Sequence, residues 1–318
     1  MSLIKRLGIL IFLGFLCGLF LWALYGPKNS LELTVSRTLE EQKNKADVFF
    51  SEVIFSESEG ENKFWELKAQ KASLNKSTGK AFLTEIEGLF FSQGKPTLKF
   101  IAPQAKWDMK KKDILLINPI GFDPRSKIKK SYWFKCQELN WNTEQQKING
   151  QKDIIFSQNN ATIYAQNLMG DLDFKTVSLF DYPLAIIKLK SKGTISLEAK
   201  TFLMDKNEIQ AREEVKVAIH DKNTPKTKIT AQTADYKINN NEILFKGQVQ
   251  IFYPDAFASA HTAAYFPNTQ KINLKGSAVA SYGKNKLNGE NIIILLKERK
   301  IKLQGRTKVN IRDKELIP

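Results

Sequence analysis

The chain has 318 residues, of which 42% are hydrophobic and 26% are charged, and its formal net charge is +16. These proportions are close to globular averages, so they exclude a long disordered chain and a collagen-like one. The positive charge permits nucleic acid, a membrane surface, an acidic polysaccharide or a phosphorylated lipid as partner, without choosing among them. This length predicts about two ordinary domains or one large all-β domain.

The N-terminal segment predicts a membrane anchor. Residues Leu7–Tyr25 contain no charged side chain, and as a helix they nearly span a bilayer core of about 30 Å. Lys5 and Arg6 precede this run, and Gly26-Pro27 ends it. The pattern predicts a cytoplasmic N-terminus, one transmembrane helix in a bacterial inner membrane, and the bulk of the chain in the periplasm.

Two other readings of this segment are less favoured. A cleaved signal peptide needs a shorter apolar core and a small-x-small site, and no clear one precedes Gly26. A lipoprotein signal would use Cys17, but Phe15 and Leu16 are bulkier than the small residues usual at those positions. We therefore expect an uncleaved signal-anchor, followed by a polar tether over residues 28–46.

From Val48 onward, short alternating apolar runs separated by turn residues predict antiparallel strands. Gly247, Gly276 and Gly305 mark three successive copies of one repeat, each inside an alternating strand. Thirteen residues before each glycine lies a second strand, whose apolar or small residues fall at offsets 0, 2, 5 and 7. In the first of these copies the four positions are Ile229, Ala231, Ala234 and Tyr236. The change from even to odd offsets predicts a β-bulge or a kink midway.

The same template extends back to Leu67 and gives eight copies of a two-strand unit. In the earlier copies the marker position is expected to be filled by Ala211, Asp181, Gly150, Asn118 and Glu85. The sequence therefore predicts an all-β fold, an elongated open β-jellyroll of about sixteen antiparallel strands in two sheets, with an opening strand near Val48. Cys136 occupies a small-residue position, which predicts a buried small hydrophobe.

An apolar trough is expected between the two sheets, with the lysines outside. Its predicted lining consists of Phe91, Phe100, Trp107, Phe122, Trp141, Phe156, Val249 and Ile251. The open edges of such a structure are templates for pairing with other β proteins. The residues expected to dock there are Val48 and Phe50 in the opening strand and Val309 and Ile311 in the final strand.

The anchor and the segments ADVFFSEVIFSES, GENKFWELKAQKASLNKSTGKAFL and TLKFIAPQAKWDMKKKDILLINPIGF closely resemble the LptC family, the single-pass inner-membrane component of lipopolysaccharide export. The last repeats, with ITAQTADY and ILFKGQVQIF, are similar to the OstA-like repeats of LptA-type proteins. This resemblance suggests an anchor over 1–27, a tether over 28–46, an LptC-like jellyroll over 47–190 and LptA-like repeats over 191–318. LptC proteins are usually shorter, so this chain adds about four strand pairs.

The resemblance implies transport without catalysis and without a cofactor. Lipopolysaccharide would come from an inner-membrane ABC transporter with LptF/LptG-like subunits, docked at the N-terminal edge. Its acyl chains would lie in the trough and its sugars outside, and an LptA-like or translocon jellyroll would join the C-terminal edge. Whether a separate LptA is still required is left open.

An alternative from another class is a membrane-anchored β-solenoid scaffold that binds acidic envelope polysaccharide through its outer lysines. An enzyme is the weakest interpretation, because no nucleophile triad, phosphate loop or recurring carboxylate pair is found. The two histidines, His220 and His261, have no Cys or carboxylate cluster at metal-ligand spacing, which argues against a zinc enzyme. A nucleic-acid role lacks a localised basic patch.

Overall fold

The computed structural model describes residues 48–310, except 61, 125–132, 159, 172–175, 191–192, 206, 221–225 and 255. Contacts separate a first unit, Met1–Val48, from a second, Phe49–Pro318. The expected anchor and the tether over 28–46 lie outside the described residues. Within the part that is described, no helix is long and apolar enough to cross a membrane.

The described residues form an all-β structure, as the sequence predicts. Its first eleven strands are β1 Val48–Glu59, β2 Asn62–Asn75, β3 Lys80–Ser92, β4 Lys95–Asp108, β5 Asp113–Ile117, β6 Ile120–Phe122, β7 Trp133–Lys135, β8 Glu138–Asn142, β9 Lys147–Gln158, β10 Ala161–Asp171 and β11 Val177–Phe180. The other ten are β12 Leu184–Lys188, β13 Thr194–Glu198, β14 Thr201–Met204, β15 Glu208–His220, β16 Thr227–Lys237, β17 Glu242–Tyr253, β18 Ala256–Phe266, β19 Lys271–Tyr282, β20 Asn285–Leu295 and β21 Lys300–Asn310.

The count of strands differs from the sequence prediction for a local reason. Four of the predicted strands are interrupted midway, where each becomes two shorter ones: β5 with β6, β7 with β8, β11 with β12, and β13 with β14. The remaining strands are unbroken. The seventeen predicted strands, sixteen and an opening strand, therefore appear as twenty-one. The two-strand repeat unit itself is as predicted. Pairing also continues through β12 and β13, on either side of the domain boundary expected after residue 190.

In the later repeats the marker strand bends at a bulge. In β17, Gly247 has φ +79° and Gln248 φ +49°, and these two residues stand opposite the single residue His261 of β18. A Cβ at position 247 would lie 2.2 Å from Gln232 Oε1, so glycine is required there for space as well as for its positive φ. The predicted bulge is confirmed, and its extra residue lies in the marker strand rather than in the small-residue strand.

The bulges fold the sheet into two facing walls. All twenty-one strands belong to one hydrogen-bonded sheet, which corrects the expectation of two separate sheets. The first wall contains the strand halves that carry Phe100 and Phe156, and the second wall contains those that carry Trp141 and Tyr236. Long strands such as β16 run through both walls and bend between them.

The side chains between the walls form one apolar cluster that extends from Trp65 to Leu296. The template residues of β16 illustrate its construction: Ile229, Ala231, Ala234 and Tyr236 are all buried. The two alanines flank the bend, where the walls converge and only small side chains fit. The larger residues stand away from the bend and fill the space between the walls.

Candidate functional site

The candidate site is this apolar interior, and six of the eight predicted lining residues face it. Phe100, Trp141, Phe156, Val249 and Ile251 are at most 2% exposed, and Trp107 is half-buried against the same cluster. Their side chains come from both walls. The interior is closed here by direct contact between side chains rather than left as an open groove.

Phe91 and Phe122 were predicted to face the trough, and the structure corrects both. Phe100 faces the interior. Its cross-strand partners are Gly88 and Gly121, so positions 88 and 121 lie on the inner face of the sheet, and the residues next to them lie on the outer face. Phe122 pairs instead with Lys99 on the opposite face, where it is 9% exposed but does not belong to the apolar cluster. Phe91 is next to the inward-facing Phe90 and lies under the Lys63 ammonium, 5.7 Å from its ring centroid.

The cause of this error is the number of positive-φ residues at the bend. In β17 two successive residues have positive φ, and the inward positions follow two and four residues after Gly247. Glu85 and Asn118 are single positive-φ residues, with φ +51° and +50°. Each of these bends therefore has one residue fewer than the bend of β17, and this moves every following side chain to the opposite face, because strands alternate with a period of two.

Aromatic rings fill the interior at the N-terminal end of the strand order. Trp141 of the second wall contacts Phe90 and Trp65 of the first wall, with ring centroids 4.7 and 5.0 Å apart and planes almost perpendicular. Trp107 contacts Trp65 at 6.4 Å and Phe55 at 4.9 Å. Edge-to-face pairs of this kind are favourable, and here they bring the two walls into contact.

Further along the strand order, hydrogen bonds join the free margins of the two walls. Tyr236, near the end of its strand in the second wall, donates its hydroxyl to Asn160 Oδ1 at 3.2 Å. The hydroxyl of Tyr253, in the first wall, donates to the carbonyl oxygen of Leu296 at 3.4 Å. We call the line along which these margins meet the mouth, defined by Asn160, Tyr236, Tyr253 and Leu296.

The interior is less covered at both ends of the strand order. Half-buried apolar side chains border the cluster in the first two strands and in the last two; they are Val53, Phe55, Phe64, Leu74, Leu287, Ile301 and Leu303. Of the expected docking residues, Val48 is half-buried, whereas Phe50 is 43% and Val309 46% exposed. Ile311 lies outside the described residues.

The titratable groups near the interior are kept neutral by burial. Burial raises the pKa of the Cys136 thiol to about 12. Burial also raises the pKa of the Tyr236 phenol above its ordinary value, opposed by its hydrogen bond to Asn160. Cys136 is buried as expected from its small-residue position. Neither group is prepared for nucleophilic chemistry, because a buried, high-pKa thiol is mostly protonated.

The outer faces carry the charged residues. Lys99 pairs with Glu87 at 2.6 Å and Lys152 with Glu138 at 2.9 Å, both with considerable exposure to solvent. The exposed His261 has its Nδ1 3.0 Å from the carbonyl oxygen of Gly276. Within the described ranges, no group of three or more His, Cys, Asp or Glu residues could hold a metal ion.

The sequence reasoning missed several interior residues. Trp65 and Phe90 both contact Trp141, yet neither was assigned to the lining. Trp65 lies two residues before the template position Leu67, so extending the alternation backward would have found it. Phe90 required knowledge that β3 bends at Glu85 without an extra residue.

Residues 9–182, more than half of the chain, match the family model described as "Lipopolysaccharide-assembly, LptC-related". The chain belongs to the LptC family. This membership confirms the resemblance to the LptC family, and the family is described by lipopolysaccharide assembly rather than by a reaction. The match ends before β12, so the later repeats lie beyond it.

Other comparisons are more distant. The crystal structure of LptH from Pseudomonas aeruginosa, described as the LptA-homologous periplasmic component of the lipopolysaccharide transport device, aligns with 58% of this chain and 96% of its own. The identity is 10% and the TM-score 0.23. No curated protein matches the chain significantly. Family membership makes this chain a component of lipopolysaccharide transport.

Proposed function

We propose that this LptC-family protein accepts lipopolysaccharide from an inner-membrane ABC transporter and passes it across the periplasm along its apolar interior, without catalysis. The observation that carries the proposal is the single cluster of buried apolar side chains from Trp65 to Leu296, which is less covered at both ends. Acyl chains gain roughly 25 cal/mol per Å² of apolar surface removed from water, so such an interior can hold them.

Acyl chains would enter by separating the two walls at the mouth. At the bends the walls are joined covalently, because strands such as β16 run through both of them, whereas the mouth is joined by side chains such as Tyr236 and Asn160. The walls would therefore open at the mouth and remain joined at the bends. The aromatic contacts of Trp141 would be exchanged for contacts with hydrocarbon.

Lysines outside the interior would pair with the phosphates of the lipid. Solvent-exposed ion pairs such as Lys152 with Glu138 contribute little to stability, so a phosphate can replace the carboxylate at low cost. Lysine would act here as a point charge rather than as a bidentate ligand.

The proposed arrangement places the chain in the inner membrane through Leu7–Tyr25, with its bulk in the periplasm. LptF/LptG-like subunits would pair with β1, whose Phe50 is exposed, because β1 follows the tether. An LptA-like or translocon jellyroll would pair with β21, whose Val309 is exposed. Adding strands to open sheet edges is the simplest way to join such sheets.

The interior can be tested by photocrosslinking from neighbouring positions of one strand. Ile251 faces the interior and is 1% exposed, whereas Phe252 faces outward and is 43% exposed. We expect benzoylphenylalanine at 251, or at Val249, to form an adduct with lipopolysaccharide in cells. The same group at Phe252 or at the exposed Lys110 should form none. Equal labelling at 251 and 252, or no adduct from folded protein at 251, would contradict the proposal.

The membrane arrangement has its own test. A periplasm-specific reporter fused after Tyr25 should be active, and mass spectrometry should find the mature N-terminus at or near Met1. Cleavage near Gly26 or acylation of Cys17 would contradict the anchor. Purification of the full-length protein from membranes should also recover the transporter subunits together with lipid A.

A scaffold that binds acidic envelope polysaccharide is a second candidate, favoured by the closed interior around Trp141 and Val249, both 0% exposed. This function would need no opening of the mouth. It predicts no adduct from position 251 and a loss of polysaccharide binding when outer lysines such as Lys110 and Lys111 are replaced by glutamate.

A further inference from the structure

Two buried indole groups of the aromatic interior have no hydrogen-bond acceptor among the residues that the structure describes. Nε1 of Trp107 and Nε1 of Trp141 are shielded from solvent, and neither finds a partner in the part of the chain that the structure describes. Trp141 is 0% exposed. Buried donors are nearly always paired in folded proteins, so each orphan requires an explanation, such as a ligand atom that it is placed to meet.

The two tryptophans occupy equivalent positions next to the mouth. Trp107 is the penultimate residue of β4, and Trp141 is the penultimate residue of β8. Tyr236 fills the same template position in β16, and its hydroxyl lies 3.2 Å from both Asn160 Oδ1 and Asn241 Oδ1. In β16, the margin of the opposite wall therefore supplies Asn160 Oδ1 as acceptor for the residue at this position. In β4 and β8, no described residue supplies an acceptor for the indole N–H of the tryptophan at the same position.

Aromatic rings pack against both indoles. Trp65 is almost perpendicular to both indoles, at 87° to Trp107 and 88° to Trp141. A ring face is a weak acceptor for an N–H group. The indole N–H of Trp65 itself is already committed, since it donates to Glu57 Oε2 at 2.7 Å.

The chemistry of this site favours a neutral acceptor. A phosphate or carboxylate buried among Trp65, Phe90 and Phe100 would lose its hydration without a cation to replace it. An ester or amide carbonyl oxygen accepts a hydrogen bond without carrying a full charge, and the hydrocarbon attached to it suits the surrounding rings. Such carbonyls occur where an acyl chain joins its head group, which in a bound lipid would lie at the mouth.

We propose that Trp107 and Trp141 donate their indole N–H groups to the ester or amide carbonyls at the head of the acyl chains of a bound lipid. This inference rests on the proposed function and specifies its ligand class. The N-terminal part of the interior selects acylated amphiphiles over those whose chains are joined by ether bonds. The two donors fix how deeply the chains enter, because the carbonyls stop at the mouth.

The test combines two lipids with matched variants of the full-length protein in dodecyl maltoside, a detergent without carbonyl groups. The lipids are dimyristoyl phosphatidic acid and its ditetradecyl ether counterpart, which lacks the carbonyls. We expect the wild-type protein to bind the ester about tenfold more tightly, as two modest hydrogen bonds would give. Trp107→Phe with Trp141→Phe should abolish that preference. Tyr164→Phe, at an exposed ring of the outer face, should preserve it.

A spectroscopic measurement on the wild-type protein keeps the test independent of the folding of any variant. With ¹⁵N-labelled tryptophan, the ester lipid should shift two indole N–H resonances downfield, and the ether lipid should not. Equal affinity for both lipids, or unmoved indole resonances in the ester complex, would overturn the carbonyl assignment alone. Failure of the wild-type protein to bind either lipid would overturn the proposed function together with it.

Discussion

The hydroxyl of Tyr236 reaches Asn160 Oδ1 at 3.2 Å, although the two residues are 76 positions apart in the sequence. Tyr236 belongs to the second wall, and Asn160 precedes the first strand of a repeat in the first wall. This hydrogen bond therefore joins the margins of the folded sheet. In the proposed transport cycle, it is one of the contacts that an entering acyl chain must break.

Replacing Tyr236 with Phe should weaken the mouth while leaving the interior apolar. We expect the free energy of unfolding in urea to fall by about 1 kcal/mol, because one partly buried hydrogen bond is lost. Lipid uptake measured by stopped-flow fluorescence should become faster. Tyr164→Phe, at an exposed ring of the outer face, is the control and should change neither quantity. Unchanged stability in the Tyr236→Phe variant would show that the mouth contact contributes nothing.

The buried thiol of Cys136 should make the fold sensitive to alkali. Its pKa is raised from 9.0 to about 12, so the stabilisation is complete below about pH 9 and is lost as the pH rises towards 12. In a Cys17→Ser background, adding Cys136→Ala should reduce the loss of unfolding free energy between about pH 8 and 10.5 by about 2 kcal/mol. Urea unfolding at both pH values measures this difference. Identical pH dependence in the two proteins would contradict the raised pKa.

The same thiol should be protected from alkylation. At about pH 8 the folded protein should contain roughly a thousandfold less thiolate at Cys136 than the unfolded chain. Mass spectrometry after iodoacetamide treatment should detect modification of Cys136 only in urea. Rapid alkylation under native conditions would mean that the interior opens spontaneously at β7 and β8.

Gly88 should tolerate no side chain, because the ring of Phe100 covers it from the neighbouring strand. A Cβ there would lie 2.0 Å from Phe100 Cζ. We expect Gly88→Ala to destabilise the protein by about 1–3 kcal/mol through overpacking. Gly150→Ala is a milder control, since its Cβ would meet Leu139 and Leu168 at 3.3 Å. Adding Phe100→Leu to Gly88→Ala should recover part of the loss, and strictly additive effects would show that the contact is unimportant.

Proline substitution in β21 should separate internal pairing from docking at the C-terminal edge. In an antiparallel pair, successive residues direct their N–H groups alternately towards the neighbouring strand and away from it. Of Lys308→Pro and Val309→Pro, one should therefore loosen the β20–β21 pair, and the other should chiefly weaken capture of an LptA-like partner. Cross-linking to the partner and urea unfolding measure the two effects. Normal bridge assembly by both variants would contradict docking at this edge.

Several features of the fold could be predicted from local sequence. Alternation and turn residues identify the strands, and the repeated glycines locate the bulges, because positive φ with no room for a Cβ strongly selects glycine, as at Gly247. The small residues of the template, such as Ala231 and Ala234, correctly identify the bend. These features depend on the conformation and volume of single residues, which a sequence records directly.

Other features were decided only by the tertiary structure. Glu85 and Asn118 are not glycines, so the sequence does not reveal whether a bend contains one or two positive-φ residues. The number of these residues determines that Phe90 rather than Phe91 faces inward. The contact of Trp65 with Trp141 and the hydrogen bond of Tyr236 to Asn160 likewise depend on how the two walls fold together. The sequence thus determined the strands and their repeat, while the facing of individual side chains and the closure of the mouth arise from long-range packing that local patterns do not encode.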